Sequence, residues 1–195
     1  MPNSYGIVVE GDFDKAVFHK LIERIHGAAP PIYVRQCHGV SVLKKLFPIL
    51  LRDLEHVHRG GPVERALIIR DADGRDPLAL EAELRERMRG QVYGFRFGVG
   101  LCIINQKMET LLLADPDAIN RVAELRAVLR RRVSRPRGSL EAIARAKELF
   151  IEILSNAGLQ YTAEVCREIA GQADLGVIRR LCPSFERFCA NVVEP

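Results

Sequence analysis

The chain has 195 residues, of which 48% are hydrophobic and 28% charged, so it can form a folded core without disulfides. Its five cysteines include no CxxC pair, and neither a disulfide framework nor a zinc site is predicted. No apolar run reaches the roughly 18 residues that a membrane span requires, and the first residues lack a secretory signal pattern. We therefore expect a cytoplasmic protein with no membrane association.

Strands and helices are predicted to alternate over the first 115 residues. Short apolar runs predict strands at 5–9, 32–34, 66–69 and within 95–104. Helical spacing of apolar residues predicts helices that follow Asp12 as an N-cap, and at 40–58, 78–89 and 107–114. This order is typical of a parallel sheet flanked by helices. We predict an α/β core over residues 1–115, with a C-terminal helical extension over residues 116–195 packed on it.

Carboxylates follow three of the predicted strands. Glu10 ends the first strand, Asp14 lies one helical turn further on, and Asp71 and Asp73 end the third. Glu109 comes shortly after the fourth strand. Because the carboxyl ends of parallel strands meet at one edge of a sheet, these side chains are expected to converge there.

Converging carboxylates repel one another, by about 4 kcal/mol for two charges 4 Å apart at an effective dielectric near 20. Protonation or a divalent cation relieves this repulsion, and an all-oxygen ligand set favours Mg²⁺ or Mn²⁺. Such an ion can neutralise phosphate charge and activate water. Three simpler interpretations stay open: Glu10, Asp12 and Asp14 complement a helix dipole, residues 71–74 form an Asx turn, and Glu109 is a solvated helix residue.

Four short motifs carry a family resemblance. Glu10-Gly11 after one apolar strand and Asp71-Ala72-Asp73 after another resemble the toprim signature of topoisomerases, primases and the overcoming-lysogenization-defect (OLD) nucleases. Residues 105–116, NQKMETLLLADP, are similar to the Q-x-M-E-x-W-x-x-A-D-P element of small stand-alone toprim-like proteins of unknown function, with Leu111 in place of the tryptophan. Residues 181–188, LCPSFERF, resemble the C-P-x-F-x-x-F ending of that family.

The resemblance implies a Rossmann-like toprim core that binds Mg²⁺ or Mn²⁺ and cleaves phosphodiester bonds in nucleic acid, DNA rather than RNA, in a defence or repair system. It implies metal ligation by Glu10, Asp14, Asp71, Asp73 and Glu109. It also gives Glu10 a general acid/base role and makes Lys107 the candidate catalytic lysine, with Lys15 as the second choice. Relatives of this kind often act beside a separate ATPase, which is the partner we expect; a homodimer is also compatible with the sequence.

Seven arginines lie between residues 121 and 137 against one acid, Glu124, which gives this stretch a net charge of +6. One interpretation is contact with a phosphate backbone, which would make binding salt-dependent. The other is a solvated helix face followed by a basic loop. No aromatic residue interleaves with the arginines, so base stacking is not predicted there. The candidates for nucleic-acid contact are Arg126, Arg130, Arg131, Arg132, Arg135 and Arg137.

Two further functions compete with the nuclease hypothesis. In the first, the chain is a non-catalytic interaction subunit of an ATPase complex, and its acids bind a structural ion or none. In the second, Asp71-Ala72-Asp73-Gly74 belongs to a phosphatase of the haloacid dehalogenase type. Such enzymes carry their nucleophilic aspartate on the first strand, whereas this DxD follows a later strand, so the phosphatase ranks last.

Overall fold

A computed structural model describes residues 1–57 and 61–193. The strands in these ranges are β1 (Tyr5–Val9), β2 (Ile32–Gln36), β3 (Arg65–Asp71) and β4 (Val99–Ile104). The helices are α1 (Asp12–His26), α2 (Val40–Glu55), α3 (Pro77–Met88), α4 (Glu109–Leu113), α5 (Pro116–Leu125), α6 (Ala146–Ala157), α7 (Ala163–Gln172), α8 (Leu175–Leu181) and α9 (Pro183–Val193), with one 3-10 turn at Leu140–Ala142.

The four strands form one sheet in the order β2-β1-β3-β4, and every neighbouring pair is parallel. Helices cover both faces, as parallel sheets require. The predicted α/β class with a parallel sheet is therefore confirmed. Since all strands run the same way, the turns after β1, β3 and β4 leave the sheet at one edge.

Some element boundaries differ from the predicted ones. Asp12 is the first residue of α1, not its cap; extended Gly11 precedes the helix, and its N–H donates to the Asp14 carboxylate at 3.1 Å. Helix α2 ends at Glu55, and His58, the predicted end, lies outside the described residues. Strand β4 begins only at Val99, because residues 95–98 form a turn.

Two apolar cores lie on opposite faces of the sheet. The larger one joins β1 and α1 to the helices that follow residue 116, through side chains such as Phe18, Phe150 and Phe188. The smaller one lies under α2 and α3 and includes Phe47 and Leu80. Each large side chain buried in this way stabilises the fold by about 1.5–3 kcal/mol.

Helix α9 closes the larger core against β1 and β4. The Tyr5 hydroxyl donates to the Val192 carbonyl at 3.0 Å, and Asn191 donates to the Leu101 carbonyl at 3.3 Å. Gly100 permits this approach, because a Cβ there would lie 2.7 Å from Asn191 Oδ1 and 2.8 Å from Leu67. Among the described residues, no helix combines the length and apolar character needed to cross a bilayer.

Candidate functional site

Three turns meet at the carboxyl edge of the sheet. Glu10 directly follows β1, and Asp71 is the last residue of β3. The turn after β3 is tied to the turn after β4, because the Ala72 N–H donates to the Ile104 carbonyl at 2.8 Å and the Asp73 N–H to the Gln106 carbonyl at 3.0 Å. Backbone hydrogen bonds thus hold the DxD segment beside the segment that carries Lys107 and Glu109.

These turns border a pocket of about 330 Å³, here called the acidic pocket. Four of the five predicted metal ligands line it, namely Glu10, Asp14, Asp71 and Glu109. Lys107 lines it as well, and its ammonium group donates to the carboxylate of the fifth predicted ligand, Asp73, which lies outside the lining. The structure therefore brings four of the predicted metal ligands and Lys107 to one pocket. Lys15 lies outside this pocket.

Three carboxyl groups of the acidic pocket have raised pKa values. Burial, reinforced by the charges of Asp14 and Asp73, raises the pKa of Glu10 to about 7. Burial also raises the pKa of Asp14 to about 6, although its bond from the Gly11 N–H opposes the shift. Burial, with the charges of Asp14 and Glu109, holds the pKa of Asp71 well above its usual value. The pocket is thus short of positive charge.

Lys107 supplies one positive charge at the rim. Burial alone would lower its pKa, but the hydrogen bond to Asp73 and the charges of Asp73 and Asp71 raise the pKa overall. Lys107 is therefore an ammonium ion at neutral pH and cannot act as a general base. Its chemistry is to attract and orient an anion.

Glu109 accepts a hydrogen bond from Tyr161, a residue that was not predicted from the sequence. Glu109 is only 4% exposed, and the Tyr161 hydroxyl donates to its Oε1 at 2.5 Å. The Tyr161 ring stacks on Phe13 at 4.4 Å between centroids, and the ammonium group of Lys147 lies 5.3 Å from the same ring. Tyr161 and Lys147 both line the acidic pocket. No sequence signal marks them, because they lie in the helical region after residue 116.

Arg70 is a second residue near the site that was not predicted. It is 2% exposed, and its Nε and Nη1 form no hydrogen bond. Burial lowers its pKa, while the charge of Glu10 opposes that shift. Glu10 Oε1 is likewise buried without a hydrogen-bond partner. The sequence signal that could have identified Arg70 is an arginine within an otherwise apolar strand, ALIIRD.

The donor set of the acidic pocket fits a hard divalent cation. All four lining acids offer oxygen, the ligand atom that Mg²⁺ and Mn²⁺ prefer. In the described ranges no three His, Cys, Asp or Glu side chains are grouped closely enough to enclose an ion. Such a site matches the common Mg²⁺ mode, in which one or two carboxylates bind and water or substrate phosphate supplies the other ligands.

The predicted nucleic-acid contacts lie mostly in the loop after α5, and part of their charge is used within the protein. Arg126 pairs with Glu164 at 3.1 Å and with Glu168 at 2.7 Å. Arg132 pairs with Glu124. Arg130 and Arg131 are exposed. The structure thus separates the arginines of this segment into paired and unpaired groups.

Arg135 and Arg137 line a separate cavity of about 360 Å³ together with Arg180, which was not among the predicted residues. None of the three forms an ion pair in the part of the chain that the structure describes. The 3-10 turn at Leu140–Ala142 is fixed near the sheet edge, because Asn105, which follows β4, donates to the Glu141 carboxylate at 2.5 Å. We call the cavity that Arg135, Arg137 and Arg180 line the arginine cavity.

Comparison with known proteins gives a family and a structural likeness. The family model DUF4276, described as a domain of unknown function, matches residues 9–192. Among solved structures, the chain is similar to the C-terminal region of the Burkholderia pseudomallei OLD protein, at 17% sequence identity and a TM-score of 0.49, covering 97% of this chain and 98% of that one. No curated protein matches the chain.

Proposed function

The chain belongs to the DUF4276 family, and we propose that its acidic pocket binds Mg²⁺ or Mn²⁺ and cleaves phosphodiester bonds in nucleic acid on a toprim-like core. One observation carries the proposal: Glu10, Asp14 and Asp71 face a single pocket at the carboxyl edge of a parallel sheet, and burial raises the pKa of each. Uncompensated carboxylates in this position are unfavourable without a cation, and perturbed ionisable groups mark functional sites.

The side chains of the pocket have different roles in the proposed reaction. A bound divalent ion would neutralise charge on a phosphate oxygen. Glu10, which lines the pocket directly after β1, would take a proton from an attacking water and return it to the leaving group. Lys107 and Lys147, which both line the pocket, offer ammonium groups to the phosphate. The arginine cavity would bind the backbone further along the strand.

Calorimetric titration of Mn²⁺ and Mg²⁺ tests the cation site without a guess about substrate. We expect saturable binding by the wild type and by Asp53→Asn, an exposed acid on α2 that pairs with Arg35. We expect no binding by Asp71→Asn. The same titrations are repeated with a phosphorothioate oligonucleotide present, since some Mg²⁺ sites fill only beside phosphate.

Cleavage assays with single- and double-stranded DNA and RNA then test the reaction. Metal-dependent products should appear with the wild type and Asp53→Asn and be lost with Asp71→Asn. Full metal-dependent cleavage by Asp71→Asn would falsify the site assignment. No cation binding under either condition would instead favour the non-catalytic interaction role.

A further inference from the structure

A larger cavity of about 730 Å³ adjoins the acidic pocket and shares Phe13 and Tyr161 with it. It runs between the first turns of α1 and the start of α7, and we call it the aromatic groove. Lys15, His19 and Arg167 also line it. Its volume lies in the range of pockets that hold small organic ligands, about 300–1,000 Å³.

The aromatic groove combines apolar surface with unpaired positive charge. Phe13, Tyr161 and Ala16 contribute the apolar surface. Lys15 and Arg167 are exposed, and within residues 1–57 and 61–193 neither forms an ion pair. The one acid of the lining, Asp12, already accepts a hydrogen bond from Gln36 at 2.8 Å. An occupant with an apolar face and an anionic group therefore fits this groove.

His19 adds a polar group inside the groove. Its Nδ1 lies 3.4 Å from Glu23 but forms no hydrogen bond. Burial is the main effect on this imidazole and lowers its pKa, which favours the neutral ring. A neutral imidazole can donate to or accept from the edge of a heterocyclic base.

We propose that the aromatic groove holds one unstacked nucleotide of a single strand, next to the phosphate that enters the acidic pocket. The base lies against the apolar surface that Phe13 and Tyr161 contribute, and Lys15 and Arg167 each bind one of the two phosphates beside it. Aromatic side chains beside unpaired cations are the usual means of holding single strands. The inference rests on the proposed function for the role of the acidic pocket. It names the substrate class: single-stranded nucleic acid, or a strand whose base has left the duplex.

Binding without catalysis tests the groove separately from the metal site. The probe is a fluorescein-labelled thymidine pentanucleotide, measured by fluorescence anisotropy in EDTA, with an abasic pentamer of equal charge for comparison. The groove variants are Lys15→Ala/Arg167→Ala and Phe13→Leu, the latter keeping an apolar side chain in place. The matched control is Lys45→Ala/Arg89→Ala, two exposed cations of α2 and the end of α3 that do not line the groove.

The double groove variant should bind the thymidine pentamer about tenfold more weakly. The slope of log affinity against log salt should fall by about 1.4, the share of two phosphate contacts on a single strand. Phe13→Leu should lose about fivefold for the thymidine pentamer and nothing for the abasic one, because the aromatic ring is removed while the phosphate contacts remain. The control should match the wild type, and circular dichroism should show all variants folded.

Equal affinity of the groove variants and the wild type would overturn the proposal. So would equal affinity of the wild type for the thymidine and abasic pentamers. Loss of binding in a variant of the arginine cavity alone, with the groove variants unaffected, would place the strand elsewhere. Because EDTA removes divalent cations, failure of the metal titration leaves this result unchanged, and the two proposals can fail independently.

Discussion

The acidic pocket and the arginine segment, residues 126–137, are both clusters of like charge, but the fold treats them differently. In the acidic pocket, Glu10, Asp14 and Asp71 are drawn together and partly removed from water, and the pKa of each is raised. In the arginine segment the side chains point into solvent, and Arg126 is compensated by two glutamates. The pKa of Arg126 is raised by the bond to Glu168.

Only one of these two kinds of charged cluster indicates a functional site. Like charges spread over a surface are screened and have little effect on stability. Like charges gathered in a pocket oppose folding, and their presence calls for a ligand that compensates them. The acidic pocket therefore supports a functional argument by its geometry and by the raised pKa values of its acids, while the arginine segment needs a binding measurement before it supports any.

The largest expected effect is at Asp71, where activity and stability should change in opposite directions. Asp71→Asn should lower metal-dependent cleavage by about a hundredfold or more, since it removes a charged group at the reacting centre. The same variant should raise the free energy of unfolding by about 1–3 kcal/mol at pH 8 in EDTA, because a neutral amide avoids the cost of either burying or protonating this carboxyl group. Chemical denaturation and cleavage rates measure the two quantities. A variant that is both inactive and less stable than the wild type would refute the idea of an uncompensated site.

The pH dependence of the free energy of unfolding should reveal the raised pKa of Glu10. Its pKa is about 7 in the folded protein and near 4.5 when unfolded, so the folded state holds the extra proton between these values. Stability due to this group is therefore lost as pH rises from about 4.5 to 7.

Relative to Glu10→Gln, the metal-free wild type should lose about 2 kcal/mol between pH 5 and pH 8, a value reduced for partial exposure of the side chain. Urea denaturation at four pH values measures the difference. The comparison cancels the opposite contribution of His19, whose pKa is lowered in the fold. A constant difference across this range would show that Glu10 titrates normally.

Tyr161→Phe should have a smaller effect, confined to the site. The variant keeps the ring that stacks on Phe13 and removes only the hydroxyl that donates to Glu109. Groups that orient metal ligands typically contribute about 10–100-fold to affinity, and we expect about tenfold weaker Mn²⁺ binding here. Calorimetry measures it, with Tyr93→Phe, a tyrosine outside the acidic pocket, as the control. Unchanged Mn²⁺ affinity would show that Tyr161 does not position Glu109.

The smallest effects should separate paired from unpaired arginines. Arg135→Ala/Arg137→Ala/Arg180→Ala should leave the free energy of unfolding within about 0.5 kcal/mol and lower the salt slope of DNA binding by about 2–3. Arg126→Ala should do the reverse, lowering stability by about 0.5–1 kcal/mol without changing the salt slope. If the two variants changed the free energy of unfolding and the salt slope equally, the distinction between paired and unpaired arginines would be wrong.

Most of the sheet was predictable because its strands are short, buried and apolar. Strand β1 has the predicted bounds, since all five of its residues are buried. Strand β3 is longer at both ends than the predicted 66–69, because Arg65 and Arg70 are buried within it. Arg65 donates to the Phe97 carbonyl, a contact between segments that no local pattern reveals.

The site was predictable only where its residues follow strands. Glu10, Asp71 and Glu109 could be placed at one edge because parallel strands share a direction. Tyr161 lies 52 residues beyond Glu109, and its contact depends on how the later helices pack against α1. The aromatic groove was not predictable for the same reason: Phe13 and Tyr161 stack in space but are far apart in sequence.

The bond between Tyr5 and Val192 joins residues 187 positions apart. Forming it closes a loop that contains nearly all of the described chain, and such distant contacts slow folding, because chain entropy is lost before the contact is gained. During synthesis, β1 leaves the ribosome long before α9 exists to cover it. The larger core is therefore completed only when α9 packs on β4 and α1, and until then the apolar side chains that α9 covers stay available to chaperones or to other nascent chains.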